Sequence, residues 1–406
     1  MSSIKEHFEM PGRYKYWSFG LMGVGVLSLI IGYIVYGNED HGARFWATML
    51  QNSVYFLLIV NAAMFFICAT TLSMGGFQMT FRRVSEAISA SVIPIGIITF
   101  IILMCIVFGG KDVIYEWLNK DVVAHDEVLK GKSGFLSPGF FTTWSILTIG
   151  LWTVLGMKMR SLSRSIDDRK PTVQEGKKFI FTNTIWAAVY IVWFALTVAS
   201  VTPWLWLMSL DAHWSSTMYS WYTFGSTFVA GIALITIFVI YLKNAGYLEY
   251  VTKEHLHDLG KFQFAFSIFW TYLWFAQFML YWYANISEET IYFKPRFEGA
   301  YTGIFYLNLV INFLAPLLIF MSRPSKRNYA TVTFMSILLV FGHWLDFYQM
   351  VFPHHWSDHV PMNVFDFGIA FGFVGLIMWQ TGVVLGKHPM LAKNHPFLKE
   401  SIIHHT

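Results

Sequence analysis

Apolar residues along the chain gather into ten runs separated by polar stretches: about 16–36, 52–74, 86–108, 137–157, 181–203, 220–242, 262–285, 299–321, 329–352 and 363–386. An α-helix needs ~20 residues to cross a bilayer core of ~30 Å, whereas a membrane strand needs about half that. The pattern therefore predicts an all-α polytopic membrane protein with ten transmembrane helices. Pro94 and Pro316 fall inside runs, where neighbouring helices satisfy the freed carbonyls. Gly20, Gly23 and Gly25 permit close helix approach in the first run. The most polar stretch, 158–178, reads as a connector. Segment 247–259 fits either a short interfacial helix beside the seventh span or a solvated turn.

Composition agrees. The 406 residues are 55% hydrophobic and 13% charged, with mean hydropathy +0.50. Soluble domains carry about 25% charged residues, so a water-soluble fold is excluded. The 17 Trp suit two membrane interfaces. A formal charge of +4 is too small and dispersed for nucleic-acid binding. Lys and Arg sort by loop: 21 fall on the side of the termini and the even-numbered loops, and 7 on the other. Positive residues favour the cytoplasm. Both termini are expected there, in a bacterial inner membrane. The first run follows a polar, basic start and is too long for a signal h-region, so it reads as a retained helix.

Cys68 and Cys105 are too few for an iron–sulfur cluster, and no Cys-x-x-Cys-His is present for covalent haem. Of 14 His, only His343 lies well inside a run, which argues against bis-His haem. Neither haem nor iron–sulfur is expected here, and no metal site.

Ionisable residues inside a bilayer are costly and usually functional or paired. His343 and Asp346 lie three apart on the ninth span and share one face. Asp366 opens the tenth span at the same outer level. Asp211, His213 and Trp214 sit between spans five and six, and His354, His355, Asp358 and His359 follow span nine. In the charge-sorted topology all lie between mid-membrane and the outer face. Quinol oxidation suits that arrangement, because an imidazole or carboxylate must take the hydroxyl proton while aromatic walls hold the ring. His343, Asp346 and Asp366 are the candidate catalytic groups. Asp211, His213 and Trp214 are candidates for binding quinol, with Trp204, Trp206, Tyr219 and Trp221 as further walls. The plainer readings are an interfacial Trp belt and an internal His343–Asp346 pair that stabilises the helices. Asn61, Asn183, Gln277, Asn308, Asn312, Gln349 and Gln380 fit interhelical hydrogen bonds. The sharper alternative is a proton path through Asn61 and Gln277, with Glu86 as its inner mouth or simply a charge pair with Arg82 and Arg83.

Segment 255–296 contains LHDLGK (256–261), FWTYLWFAQ (269–277), WYANISEET (282–290) and Arg296. It resembles the NrfD-like membrane subunits of alternative complex III, a quinol:cytochrome c oxidoreductase. SLDAHWSSTMYSWY (209–222) and RRVSEAISASVIPIG (82–96) are similar to the same family. Length and the 75–96 region are closer to the smaller, ActF-type of its two related subunits. The resemblance implies two four-helix bundles, 52–203 and 220–352, flanked by helices at 1–36 and 363–406 within one membrane domain. It also implies quinol or quinone as a non-covalent ligand and coupled proton translocation. The implied partners are the related NrfD-like subunit, an iron–sulfur subunit, multihaem and monohaem cytochrome c subunits, a terminal oxidase and lipid. Glu288, Glu289 and Arg296 would form ion pairs at an interface. Two alternatives stand beside quinol handling. One is a scaffold subunit of the same complex. The other is a secondary transporter with Pro94 and Pro316 at broken helices.

Overall fold

A computed structural model describes residues 6–168 and 170–405. Among them the regular structure is all helical. Ten helices are long and apolar enough to span a membrane: α1 Gly12–Tyr36, α2 Ala43–Leu72, α3 Arg82–Phe108, α4 Pro138–Arg164, α5 Val173–Leu210, α6 Met218–Asn244, α7 Lys253–Ala284, α8 Thr302–Ile319, α9 Tyr329–Val351 and α10 Val364–Lys387. The chain is a multi-pass membrane protein, and each predicted run corresponds to one of these helices.

The differences lie at the ends. Helix α2 begins nine residues before the apolar run, because Gly42 takes φ +80° and turns the chain directly into Ala43. Arg44 therefore belongs to a helix and is buried, rather than lying in a loop. Helix α7 begins at Lys253, capped by the Thr252 hydroxyl, so much of 247–259 is already span seven. It ends at Asn285, whose φ of +45° suits asparagine and explains that residue in the WYANISEET segment. Helix α3 is interrupted at Ala90–Ser91, just before Pro94. Helix α5 kinks at Ser200, just before Pro203, and Ser220 of α6 donates to the Ser200 carbonyl freed there. Helix α8 widens over Val310–Leu314 ahead of Pro316.

Packing follows two closed circuits. In the first, α2 packs on α3 and α5, and α4 packs on α3 and α5. In the second, α6 packs on α7 and α9, and α8 packs on both. Helix α2 joins the circuits through α6 and α9, which is why its sequence is buried on nearly every face. Helices α1 and α10 form their own closely packed pair, laid against α2 and α3. Small residues set that approach: a Cβ at Gly372 would fall 2.8 Å from the Gly25 Cα.

The two termini lie together on one face, called here the terminal face. The Met390 amide donates to the Glu6 carbonyl at 2.8 Å, and the Ser401 hydroxyl donates to the Phe77 carbonyl at 2.7 Å. The Asn394 amide reaches the Ile166 and Asp167 carbonyls. The loops between α3 and α4, α5 and α6, α7 and α8, and α9 and α10 gather on the opposite, distal face.

Candidate functional site

Helix α9 carries Ser336, His343 and Asp346 on one face toward the middle of the second circuit. At ~1.5 Å per residue, His343 lies ~12 Å and Asp346 ~8 Å from the distal end of α9. Both are fully buried. Every helix of the circuit supplies a partner. Tyr222 of α6 and Asn308 of α8 donate to Asp346 Oδ1, the latter at 2.9 Å. Trp270 of α7 donates from Nε1 to Oδ2 at 3.0 Å. His343 Nδ1 lies 4.0 Å from Oδ2 and 3.0 Å from the Ser226 hydroxyl. The Trp270 ring meets the imidazole edge-on at 5.5 Å. Asn312 donates to Asn308 Oδ1 at 2.5 Å, one helical turn away. Gly342 makes this layer possible, since a Cβ there would sit 2.2 Å from Asn312 Oδ1.

This carboxylate is solvated by neutral donors, with no guanidinium or ammonium against it among the described residues. His343 Nε2 has no hydrogen-bond partner, an orphaned polar atom in an apolar interior. The polar layer also continues along the circuit. Two turns toward the terminal face, Gln263 Nε2 donates to Thr236 and Ser336 hydroxyls at 2.9 and 3.0 Å. Toward the distal face, the rings of Tyr222, Tyr219 and Tyr292 follow one another at 6.5 and 6.0 Å, and Trp214 stacks on Tyr292 at 4.1 Å.

That column ends at a second buried cluster. Arg296 lies over the Tyr292 ring at 3.4 Å and donates to the Gln349 carbonyl at 2.8 Å. Its Nη2 is 3.7 Å from Asp211 Oδ2, and His354 Nδ1 contacts the other oxygen. Burial pushes the Asp211 carboxyl up, but the bond and charge of His354, with Arg296, outweigh it and hold the group below its ordinary value. His355, next in sequence, is pushed down to about 4, chiefly by burial.

The structure separates several residues expected at one site. Asp366 has its own partners: Arg44 at 2.5 Å, Thr48 at 2.8 Å and the Asn363 amide at 2.9 Å, where it completes the N-terminal cap of α10. It lies toward the same face as Asp346 but outside its cluster. His213, two residues after Asp211, turns away to Asp126 at 2.5 Å and holds that carboxyl below its ordinary value. Trp214 does reach the column. Glu86 is clamped by Arg82 at 3.0 Å and Arg83 at 2.8 Å near the terminal face. Asn61 accepts from Tyr190 at 2.5 Å within the first circuit, and Gln277 reaches only Ser216 at 3.4 Å. Glu86, Asn61 and Gln277 thus share no partner. Trp206 donates to Ser145 at 3.0 Å, and Trp221 faces outward. Arg296 pairs with Asp211, while the side chains of Glu288 and Glu289 lie outside the described residues.

Tyr222, Ser226, Trp270, Asn308 and Asn312 complete the Asp346 layer. Three signals carried four of them, and none carried Ser226. Asn308 and Asn312 lie four apart, Tyr222 closes the segment 209–222, and Trp270 lies in FWTYLWFAQ. No family profile and no curated protein matches this chain.

Proposed function

We propose that this chain is a membrane subunit of a respiratory quinol:cytochrome c oxidoreductase of the alternative complex III type, and that its second helix circuit handles protons of the quinol reaction. The observation that carries the reading is the buried Asp346–His343 layer: a carboxylate held by neutral donors beside an imidazole with one free ring nitrogen. Neither group is locked to a fixed cation, so each can take up and give back a proton. The two four-membered helix circuits with a separate α1–α10 pair support the NrfD-like arrangement implied by segments 82–96, 209–222 and 255–296. The 21 Lys and Arg on the terminal side support cytoplasmic termini in a bacterial inner membrane.

In this reading Asp346 and His343 hold the proton. His354, seated on the Asp211 carboxylate that Arg296 keeps ionised, forms its exit toward the distal face, where iron–sulfur and cytochrome c subunits take the electrons. The related NrfD-like subunit would pack beside this chain, with a terminal oxidase further along. Quinol supplies two electrons and two protons. The column from Tyr222 to Trp214 gives aromatic surface beside the exit.

A second reading, a scaffold subunit without bound quinone, draws on a specific observation: Asp346 and His343 have zero exposure and three hydrogen bonds already satisfy the carboxylate. The experiment that separates the two replaces His343 or Asp346 by Ala in the assembled complex. The proton-handling reading expects quinol oxidation and proton release to fall by about 100-fold or more, the scale of general acid–base catalysis. Unchanged turnover and proton release at equal assembly would leave only the scaffold.

A further inference from the structure

At the terminal face a cleft of about 540 Å³ opens between α3, α4 and α10. Its lining has two levels. The last turns of α4 and α10 supply Arg160, Arg164, Lys387 and His388, joined by the Ser161 and Ser165 hydroxyls. One turn deeper lie Met157 and Val384, with Ile93 of α3 beside them.

The upper level carries charge that the protein does not neutralise. Glu86 is held by Arg82 and Arg83, and Asp167 by Arg83 at 2.6 Å. Among the described residues, Arg160, Arg164 and Lys387 have no ion pair. Arg160 is only 7% exposed yet lines the cleft, and it donates to Ser89 at 3.2 Å. Arg164 donates to His388 Nε2 at 2.5 Å, while its buried Nε has no partner. Unpaired buried cations are costly, and two neighbouring guanidiniums raise the cost. A dispersed basic surface would leave these groups in water; here they converge on one concavity.

We infer that the cleft binds the phosphate headgroup of an anionic phospholipid from the terminal-face leaflet. Two guanidiniums match phosphate oxygens in forked geometry, and the Ser161 hydroxyl adds a donor. The level beneath fits the start of the acyl chains, which a free phosphate would leave empty. Basic pockets between membrane helices at the cytoplasmic side recognise anionic lipids through this division of headgroup and chain. The inference does not depend on the quinol reading.

The test is native mass spectrometry of the intact assembly, titrated with phosphatidylglycerol or phosphatidylcholine. The expected result is one phosphatidylglycerol retained in preference to phosphatidylcholine. Each cation near the headgroup contributes roughly a fivefold effect, so Arg160→Gln with Arg164→Gln weakens retention about 30-fold and Lys387→Gln about fivefold. Lys387 and Met157 are exposed, so Lys387→Gln and Met157→Trp decide the matter if the arginine pair fails to fold. Met157→Trp crowds the chain level and lowers retention without changing charge. Equal retention of both lipids, or retention unchanged in Lys387→Gln and Met157→Trp, would overturn the inference. Displacement by inorganic phosphate as readily as by phosphatidylglycerol would overturn the lipid assignment.

Discussion

The two helix circuits each bury a carboxylate, and they treat it in opposite ways. In the first, Glu86 lies near the terminal face between two guanidiniums. No acidic residue of α2–α5 lies deeper than Glu86, and the inner layers are neutral pairs such as Asn61–Tyr190 and Trp152–Thr197. In the second, Asp346 lies deeper, with Tyr222, Trp270 and Asn308 as donors and an imidazole at 4.0 Å. A guanidinium keeps its proton and fixes its partner as an anion. Phenol, indole and amide donors also favour the anion, but without a fixed positive charge. Burial alone therefore does not mark a functional acid; the chemistry of its partners does. In the proposed reading Glu86 is a clamp where α3 meets α4, and Asp346 is the group that exchanges a proton.

The sharpest way to break this contrast is Glu86→Gln. It leaves Arg82 buried without its anion and Arg83 with Asp167 alone, and the expected cost is about 3–5 kcal/mol. Thermal unfolding of the purified chain measures it. Turnover per assembled complex should stay unchanged; a loss of turnover at full assembly would make Glu86 part of the chemistry.

Asp346→Asn is the converse. Turnover should fall about 100-fold. The substituted amide leaves one partner unsatisfied, at about 1–3 kcal/mol. A large stability loss with normal turnover would reverse the roles of the two carboxylates.

Gly342→Ala probes the layer without touching its ionisable groups. The new methyl displaces Asn312 from Asn308, at about 1–3 kcal/mol of overpacking. Denaturation midpoints check it, with Gly303→Ala, where a Cβ meets open space, as the control.

The smallest effect is on pH dependence at the distal face. His355 faces His354, Asp211 and the Ile114 carbonyl, and burial chiefly pushes it down to about 4. Its ordinary value is 6.5, so the unfolded chain binds more protons between the two. The stability contributed by the buried neutral ring is full above about 6.5 and is lost as pH falls through about 4. Hydrogen exchange of 352–363 should quicken over that window, and His355→Gln should flatten the change.

The ten helices were legible because a bilayer imposes one length and one polarity on every span. Depth was legible too: Asp346 and Asp366 do lie toward the same face. Azimuth was not. A residue's depth follows from its place along a span, but which neighbour it faces depends on helix rotation. Asp366 accordingly belongs with Arg44, a residue hidden from the hydropathy pattern because ARFWATMLQ is too polar to extend the apolar run. Asp211 and His213 show the same limit over two residues: the chain turns after α5, and one side chain meets Arg296 while the other meets Asp126. Asn308 and Asn312 had the right spacing for a shared face, yet nothing in α8 alone indicates that Asp346 is what they meet.

In the proposed function Asp346, and not Glu86, changes protonation during quinol turnover. Infrared difference spectroscopy of the assembled complex on quinol addition tests it directly. The expected result is a carboxyl stretching change that persists in Glu86→Gln and vanishes in Asp346→Asn. A band that survives in Asp346→Asn and disappears in Glu86→Gln would contradict it.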